Sequence, residues 1–495
     1  MSTLAKVEPR ADEPSTGFVK ALTLTDAVML VAGSMIGSGI FIVSADIARS
    51  VGSPFWLLVV WGVTGVITLL GALAYGELAA MFPRAGGQYV FLRESMGPLM
   101  GFLYGWTLFV VIQTGTIAAV AVAFASFLGV LVPAVGPVRY DWFPQLDVTT
   151  PGGMIELGLS PQRLVALLSV WLLTWVNLRG VREGKLLQTT LTTVKTGALA
   201  ALILLGLTLG RNATAVAANF GPGQFVGSTD LTSAFVLAFG ASLVGSLFSS
   251  DAWNNVTFAA AEVHHPRRNL PLALLLGTGL VTLLYVLANV AYLNVLPLHG
   301  TAEGGTVLAR GIQHATQDRV GTAAAEVIFG SAGSTIMAVA ILISTFGCNN
   351  GLILAGARVY YAMARDGLFF RRAGTLNARQ VPAVGLVLQA IWISLLCLTG
   401  TYGQLLDYVI FAALIFYALT TTGLFILRRT RPDLERPYRA IGYPVLPALY
   451  IALAIAVAIV LLLADKTRAQ AMSGLVVVLL GVPVYLLRQR RGAAT

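Results

Sequence analysis

The sequence predicts an all-α membrane protein with twelve transmembrane helices, and three observations predict it. The 495-residue chain is 57% hydrophobic and 11% charged, with a mean hydropathy of +0.80, far from a soluble globular composition. Its apolar residues gather into twelve windows, each long enough for a helix to cross ~30 Å of hydrocarbon. Its basic residues alternate between the segments joining those windows. Of the 32 Lys and Arg, 23 fall on the side of the amino terminus and 8 on the other, with Lys195 left inside a window. Basic residues favour the cytoplasmic side, so both termini are expected there, in a multi-pass protein of the plasma or inner membrane. The net charge of +10 then reports topology and contact with anionic headgroups of the lipid bilayer, with no call for nucleic acid.

Taken in order, residues 1–24 mix charge with proline and lack the apolar run of a signal peptide, so they read as a cytoplasmic tail. Windows at 25–50, 55–82, 98–133, 161–179 and 185–210 form a first group over 25–210. Windows at 232–263, 269–297, 327–366, 383–401 and 403–427 form a second over 232–427. A last pair, 443–464 and 468–488, is followed by a cytoplasmic tail at 489–495. Cys348 and Cys397 lie inside windows, where a thiol behaves as a small hydrophobe. The four histidines sit in connecting segments without ligand spacing, so neither a metal nor a cofactor is expected.

The first window holds "VAGSMIGSGIFIV", Val31 to Val43, with Gly33, Gly37 and Gly39 inside seven residues. Each glycine weakens a helix interior by about 1 kcal/mol relative to alanine. Close helix packing accounts for the Gly33 and Gly37 pair, but not for Gly39 or for Ser34 and Ser38. A broken helix accounts for all of them, and lipid tolerates one only around a wet cavity or a ligand. The sixth window carries a matching weak point, "SLFSSDAWNNVTF", where Ser249, Ser250, Asp251, Asn254 and Asn255 interrupt apolar sequence. Helices 1 and 6 broken, in corresponding positions of two five-helix halves, point to a secondary transporter with inverted repeats and a midplane site.

Ionisable residues at membrane depth need a partner or a purpose. Lys195 lies about ten residues into the fifth window, ~15 Å along a helix and beyond the reach of a snorkelling lysine. Asp251 either faces a ligand, titrates, or closes a hydrogen-bond network with Asn254 or Asn255. Glu77 and Glu262, nearer cytoplasmic ends, are expected to pair with loop arginines. Ser344, Thr345, Gly347, Asn349 and Asn350 in the eighth window, and Gln113, Thr114 and Thr116 in the third, should face a cavity or other helices. No G-x-S-x-G, H-E-x-x-H or phosphate-cradling loop occurs, which argues against an enzyme.

"GSMIGSGIF", "AWNNVTFAAAEVHHPRRNLPLAL", "VTLLYVLANVAYLNVLPL", "STFGCNNGLILAGARVYYAMARDG" and "RRTRPDLERPYRAIGYPVLP" occur in register. Over about residues 22 to 440 the chain resembles the amino acid-polyamine-organocation (APC) transporters, and among them the L-type amino acid transporter branch. The resemblance implies a LeuT-like 5+5 inverted repeat plus two C-terminal helices. It implies L-amino acid substrates, neutral or cationic, carried by alternating access and commonly by exchange. It implies that backbone amides around Ser38, Gly39 and Ile40 hold the substrate carboxylate, with Ile36 also among the substrate-binding residues. Carbonyls of Leu247, Phe248 and Ser249 would hold the ammonium, with Phe248 as an aromatic gate and Asp251 and Asn254 completing the pocket. Lys195, with Ser344 and Thr345, matches the place of a sodium ion in sodium-dependent relatives, so sodium independence is expected. The loop after the third window lacks the cysteine by which animal L-type members join a single-span heavy chain, so no disulfide-linked partner is expected. An acid at Asp251, where most L-type relatives carry glycine, resembles members that accept cationic amino acids. Proton-coupled symport and, from another class, a channel remain alternatives.

Overall fold

The computed structural model describes residues 17–150, 153–227, 232–399 and 402–492, so most of the amino-terminal tail and the end of the carboxy-terminal one lie outside the described residues. Helix α1 (Leu24–Met35) starts on a capping box, with the Thr23 amide donating to the Asp26 carboxylate at 2.9 Å. It stops at Met35. After extended Ile36 and a 3-10 turn over Gly39–Phe41, the chain becomes helical again as α2 (Ser44–Val51). Ser53 caps α3 (Pro54–Met81), whose proline occupies the first turn, where its missing N–H is not needed. Helices α4 (Gln88–Met96) and α5 (Pro98–Thr107) follow, and a π turn over Leu108–Ile112 leads into α6 (Gln113–Leu131).

Two short strands, β1 (Leu146–Thr150) and β2 (Gly153–Leu157), pair antiparallel before α7 (Pro161–Leu178) and α8 (Val181–Leu207). A short α9 (Ala213–Phe220) precedes α10 (Ser233–Ser249). The sixth window also breaks: Ala252 is left-handed at φ 65°, and only 3-10 turns over Trp253–Thr257 and Ala260–Glu262 continue it. Then come α11 (Pro266–Val295), α12 (Val307–Arg310), α13 (Val320–Phe329), α14 (Ala332–Arg365), α15 (Ala383–Thr399), α16 (Tyr402–Thr430), α17 (Val445–Leu463) and α18 (Asp465–Gly492).

Among the described residues nine helices are long and apolar enough to cross a membrane. The other three expected crossings fall on broken α1–α2, on α7 and on the 17-residue α15. Helix α1 lies centrally, packed on α11, α8 and α14, while α10 rests on α2, α3 and α17. Helices α17 and α18 lean on α16 from outside and expose Ile455, Ile459, Leu479 and Leu480, as lipid-facing surfaces do.

Several expectations change. The eighth window starts at Ala332, because Val320–Phe329 is a separate helix ended by Gly330 at φ 63°. Arg358, counted with the cytoplasmic loops, is buried in α14 and pairs with buried Glu262 at 3.0 Å. Glu77 pairs as expected, with Arg428 at 2.6 Å and Arg436 at 3.4 Å. The part of the expected tail from residue 17 onward is packed structure: Leu22 bridges Val263 in parallel, and Phe18 is buried edge-on to Tyr361.

Candidate functional site

The break in α1 frees backbone groups in a buried region, and the carbonyls and amides fare differently. The carbonyls find donors. Lys195 donates from α8 to the carbonyls of Gly33 and Ile36, both at 2.6 Å, and to that of Ser344 at 3.2 Å. The Ser344 hydroxyl donates to the Gly37 carbonyl at 2.8 Å and the Ile36 carbonyl at 3.2 Å. Cys348 reaches the Ser34 carbonyl at 3.0 Å and Tyr292 the Ile40 carbonyl at 3.3 Å. Tyr285 places one hydroxyl against two carbonyls, Met35 at 3.1 Å and Ser249 at 3.0 Å, and so ties the two breaks together.

The amides do not. Those of Gly37, Gly39 and Ile40 donate to no acceptor among the described residues, although all three residues are buried. A half-helix start therefore presents unpaired N–H groups, the arrangement that receives anions.

The second break faces the first. An added Cβ on Gly39 would overlap the Ser249 hydroxyl and lie 2.8 Å from its Cβ. Met35, Ser38, Phe248, Ser249, Asp251 and Cys348 are among the residues around a cavity of about 20 Å³ between the breaks. That volume holds a water molecule and no amino acid, so a substrate would have to part the two segments. Ile36 and Ile40 in the first break, and Leu247 in the last turn of α10, are buried in the same two segments but are not among the residues lining that cavity. The carbonyls of Leu247 and Phe248 already accept the amides of Ser250 and Asp251, each at 3.1 Å.

Two expected site residues lie elsewhere. The Thr345 hydroxyl turns back onto its own helix, donating to the Ile341 carbonyl at 2.8 Å, while Lys195 bonds the Ser344 carbonyl instead. One residue is about 100° of helix rotation, so Ser344 and Thr345 cannot both face α1. Asn254 donates to Gln88 at 2.7 Å and lines a second cavity, of about 10 Å³, with Tyr104, Gln113 and Tyr417. Asp251 borders both cavities, and its carboxylate accepts the hydroxyl of Tyr417 on α16 rather than bonding Asn254 or Asn255. Tyr285 and Tyr417 carried no local signal, since their acceptors lie up to 250 residues away.

Among the described residues no group of three or more His, Cys, Asp and Glu could hold a metal ion. The arrangement can clasp a small molecule with a negative and a positive end between two helix breaks.

Comparison with known proteins agrees. Residues 22–483 match the family described as amino acid permease. The chain is 29% identical over 447 residues to the b(0,+)-type amino acid transporter 1 of Homo sapiens, covering 89% of this chain and 83% of that protein. It is 30% identical over 502 residues to the large neutral amino acids transporter small subunit 2 of Mus musculus, covering 97% and 83%. These are transporters and not enzymes. With the match running from the first capping box into the last helix, this multi-pass membrane protein belongs to the amino acid permease family, in the APC superfamily.

Proposed function

We propose that this chain carries L-amino acids across the membrane by alternating access, as a sodium-independent exchanger. The carboxylate sits on the amides of Gly37, Gly39 and Ile40, and the ammonium beside the carbonyls of Leu247, Phe248 and Ser249. The observation that supports this reading is the set of three buried amides without an acceptor among the described residues, opposite a second broken helix. Lys195 supplies the positive charge that a sodium ion would otherwise supply to the carbonyls of Gly33, Ile36 and Ser344. An ammonium and a sodium ion make the same electrostatic demand on those oxygens.

Relatives are named for large neutral amino acids and for a b(0,+)-type amino acid transporter, and Asp251 beside the pocket favours cationic side chains here. A second reading, proton coupling, draws on the same residue, because Asp251 has no cationic partner among the described residues. The domains are two five-helix repeats, 25–210 and 232–427, with both termini cytoplasmic in the plasma or inner membrane. One relative is by name a small subunit, but both cysteines of this chain are buried in helices, so no disulfide-linked heavy chain is expected.

The test is uptake into liposomes of purified protein preloaded with arginine, alanine or leucine. Exchange predicts labelled uptake that saturates, rises with a preloaded amino acid and persists when choline replaces sodium. Uptake that ignores preloading and never saturates identifies a channel instead, and a strict sodium requirement removes the role given to Lys195.

A further inference from the structure

We propose that the corner where α7 turns into α8 binds the headgroup of an anionic phospholipid in the cytoplasmic leaflet, and that this lipid secures the amino-terminal strap. The turn consists of Arg179 and Gly180, the glycine at φ 143°, and Arg182 follows in the first turn of α8. From the loop between α14 and α15, Arg379 donates to the Arg179 carbonyl at 3.2 Å. The three arginines thus converge on a cavity of about 230 Å³, whose wall includes Val19 and Ala21.

Their charges are poorly answered by protein. Glu183 is the one acid in the lining, Arg182 has no ion-pair or hydrogen-bond partner among the described residues, and the Arg179 guanidinium lies 3.7 Å from the Trp175 ring centre. Elsewhere on the same side Arg93, Arg428, Arg431 and Arg436 pair with carboxylates, while Arg429 and Arg439 are exposed singly and border no such cavity among the described residues. A multivalent or phosphate anion is the ligand chemistry that such a cluster fits.

The neighbouring surface selects the lipid form of that phosphate. Leu168, Trp171, Leu172 and Trp175 on α7 are exposed, as is Leu186 on α8. Tryptophan at the interface with arginine just beyond it is the pattern of a headgroup site, with acyl chains on the leucine face. The strap forming the cavity wall is held by Lys185, which donates to the Ala21 carbonyl at 2.8 Å, and by the Leu22 amide, which donates to the Glu262 carbonyl at 2.9 Å. A headgroup covering Val19 and Ala21 therefore favours the docked strap, residues 18–22.

The side of the membrane comes from the reading above, but binding is tested without it and without transport. Purified full-length protein in detergent is titrated with phosphatidylglycerol and with phosphatidylcholine, and retained lipid is read by native mass spectrometry. Phosphatidylglycerol should bind preferentially. Arg182→Ala with Arg379→Ala should weaken it roughly tenfold or more, whereas Arg429→Ala with Arg439→Ala, removing two exposed arginines elsewhere on that side, should leave it near wild type. Arg182→Glu alone preserves the Arg379 bond to Arg179 and should weaken binding in the same direction. Equal weakening in both double variants, no weakening in the first, or displacement of the lipid by millimolar inorganic phosphate would overturn the proposal.

Discussion

Substituting each of the three glycines near the first break by alanine separates what they do. At Gly37 the new methyl would sit 3.5 Å from the Cys348 sulfur, an ordinary contact, and no positive φ forbids it. At Gly39 it would overlap the Ser249 hydroxyl, 2.8 Å from that residue's Cβ and 3.2 Å from its Cα, so the side chain cannot simply swing away. Overpacking of this kind costs about 1–3 kcal/mol, which in substrate affinity is roughly fivefold to a hundredfold. The assay is competition of labelled uptake by unlabelled substrate, alongside thermal unfolding of the purified protein. Gly39→Ala should lose affinity by that factor with little change in melting, and Gly37→Ala should lose little of either. Adding Ser249→Gly to Gly39→Ala removes the two nearest atoms, so the double variant should recover part of the loss. Wild-type affinity in Gly39→Ala, or no recovery in the double variant, would refute the idea that the two breaks close on the substrate. At Gly33 the methyl would overlap the side-chain ends of Gln188 and Thr192, so Gly33→Ala should lower stability.

Lys195→Ala strips donors from the carbonyls of Gly33, Ile36 and Ser344, and uptake should fall at least tenfold while membrane insertion is unchanged; normal uptake would make the lysine structural. Asp251→Asn should erase most of the advantage of arginine over leucine in competition assays, and leucine outcompeting arginine in the wild type would remove the cationic assignment. Arg358→Ala strands the buried Glu262 carboxylate and should destabilise the protein by about 3–5 kcal/mol, read as early melting. Burial opposes the Glu94 charge, but Arg93 and Arg431 outweigh it and hold its pKa below the ordinary 4.5. Its stabilisation is therefore complete above pH 4.5 and lost as pH falls through the depressed value, so Glu94→Gln should flatten the acid limb of the melting profile.

Helix positions were legible because apolar windows and basic loops report the bilayer directly, and the predicted bounds of α3, α7 and α17 fall within two residues of the observed ones. Both helix breaks were legible because glycine and polar clusters are costly at that depth. The rotation of a helix was not: Ser344 and Thr345 are equivalent hydroxyls in sequence, and only packing decides which meets α1. Partners such as Tyr417 for Asp251 depend on which helices become neighbours, and no local pattern encodes that. The ribbon of β1 and β2 had a readable signal, "LDVTTPGGMIEL", in which Pro-Gly-Gly separates two strand-forming runs.

The Tyr285 hydroxyl has one hydrogen and faces two carbonyls, one from each break. Among the described residues the inventory on either side of it is one donor short at the carbonyls and three acceptors short at the amides of Gly37, Gly39 and Ile40. An amino acid brings the missing groups: its ammonium frees the tyrosine hydrogen for Met35, and its carboxylate answers the amides. Without cargo, a closed carrier would retain several buried groups each unfavourable by about 1–3 kcal/mol. Passage through the closed form is then slow for an unloaded carrier and fast for a loaded one. On the exchange proposed above, obligatory coupling would follow from hydrogen-bond arithmetic, with no separate lock to prevent the empty protein from turning over.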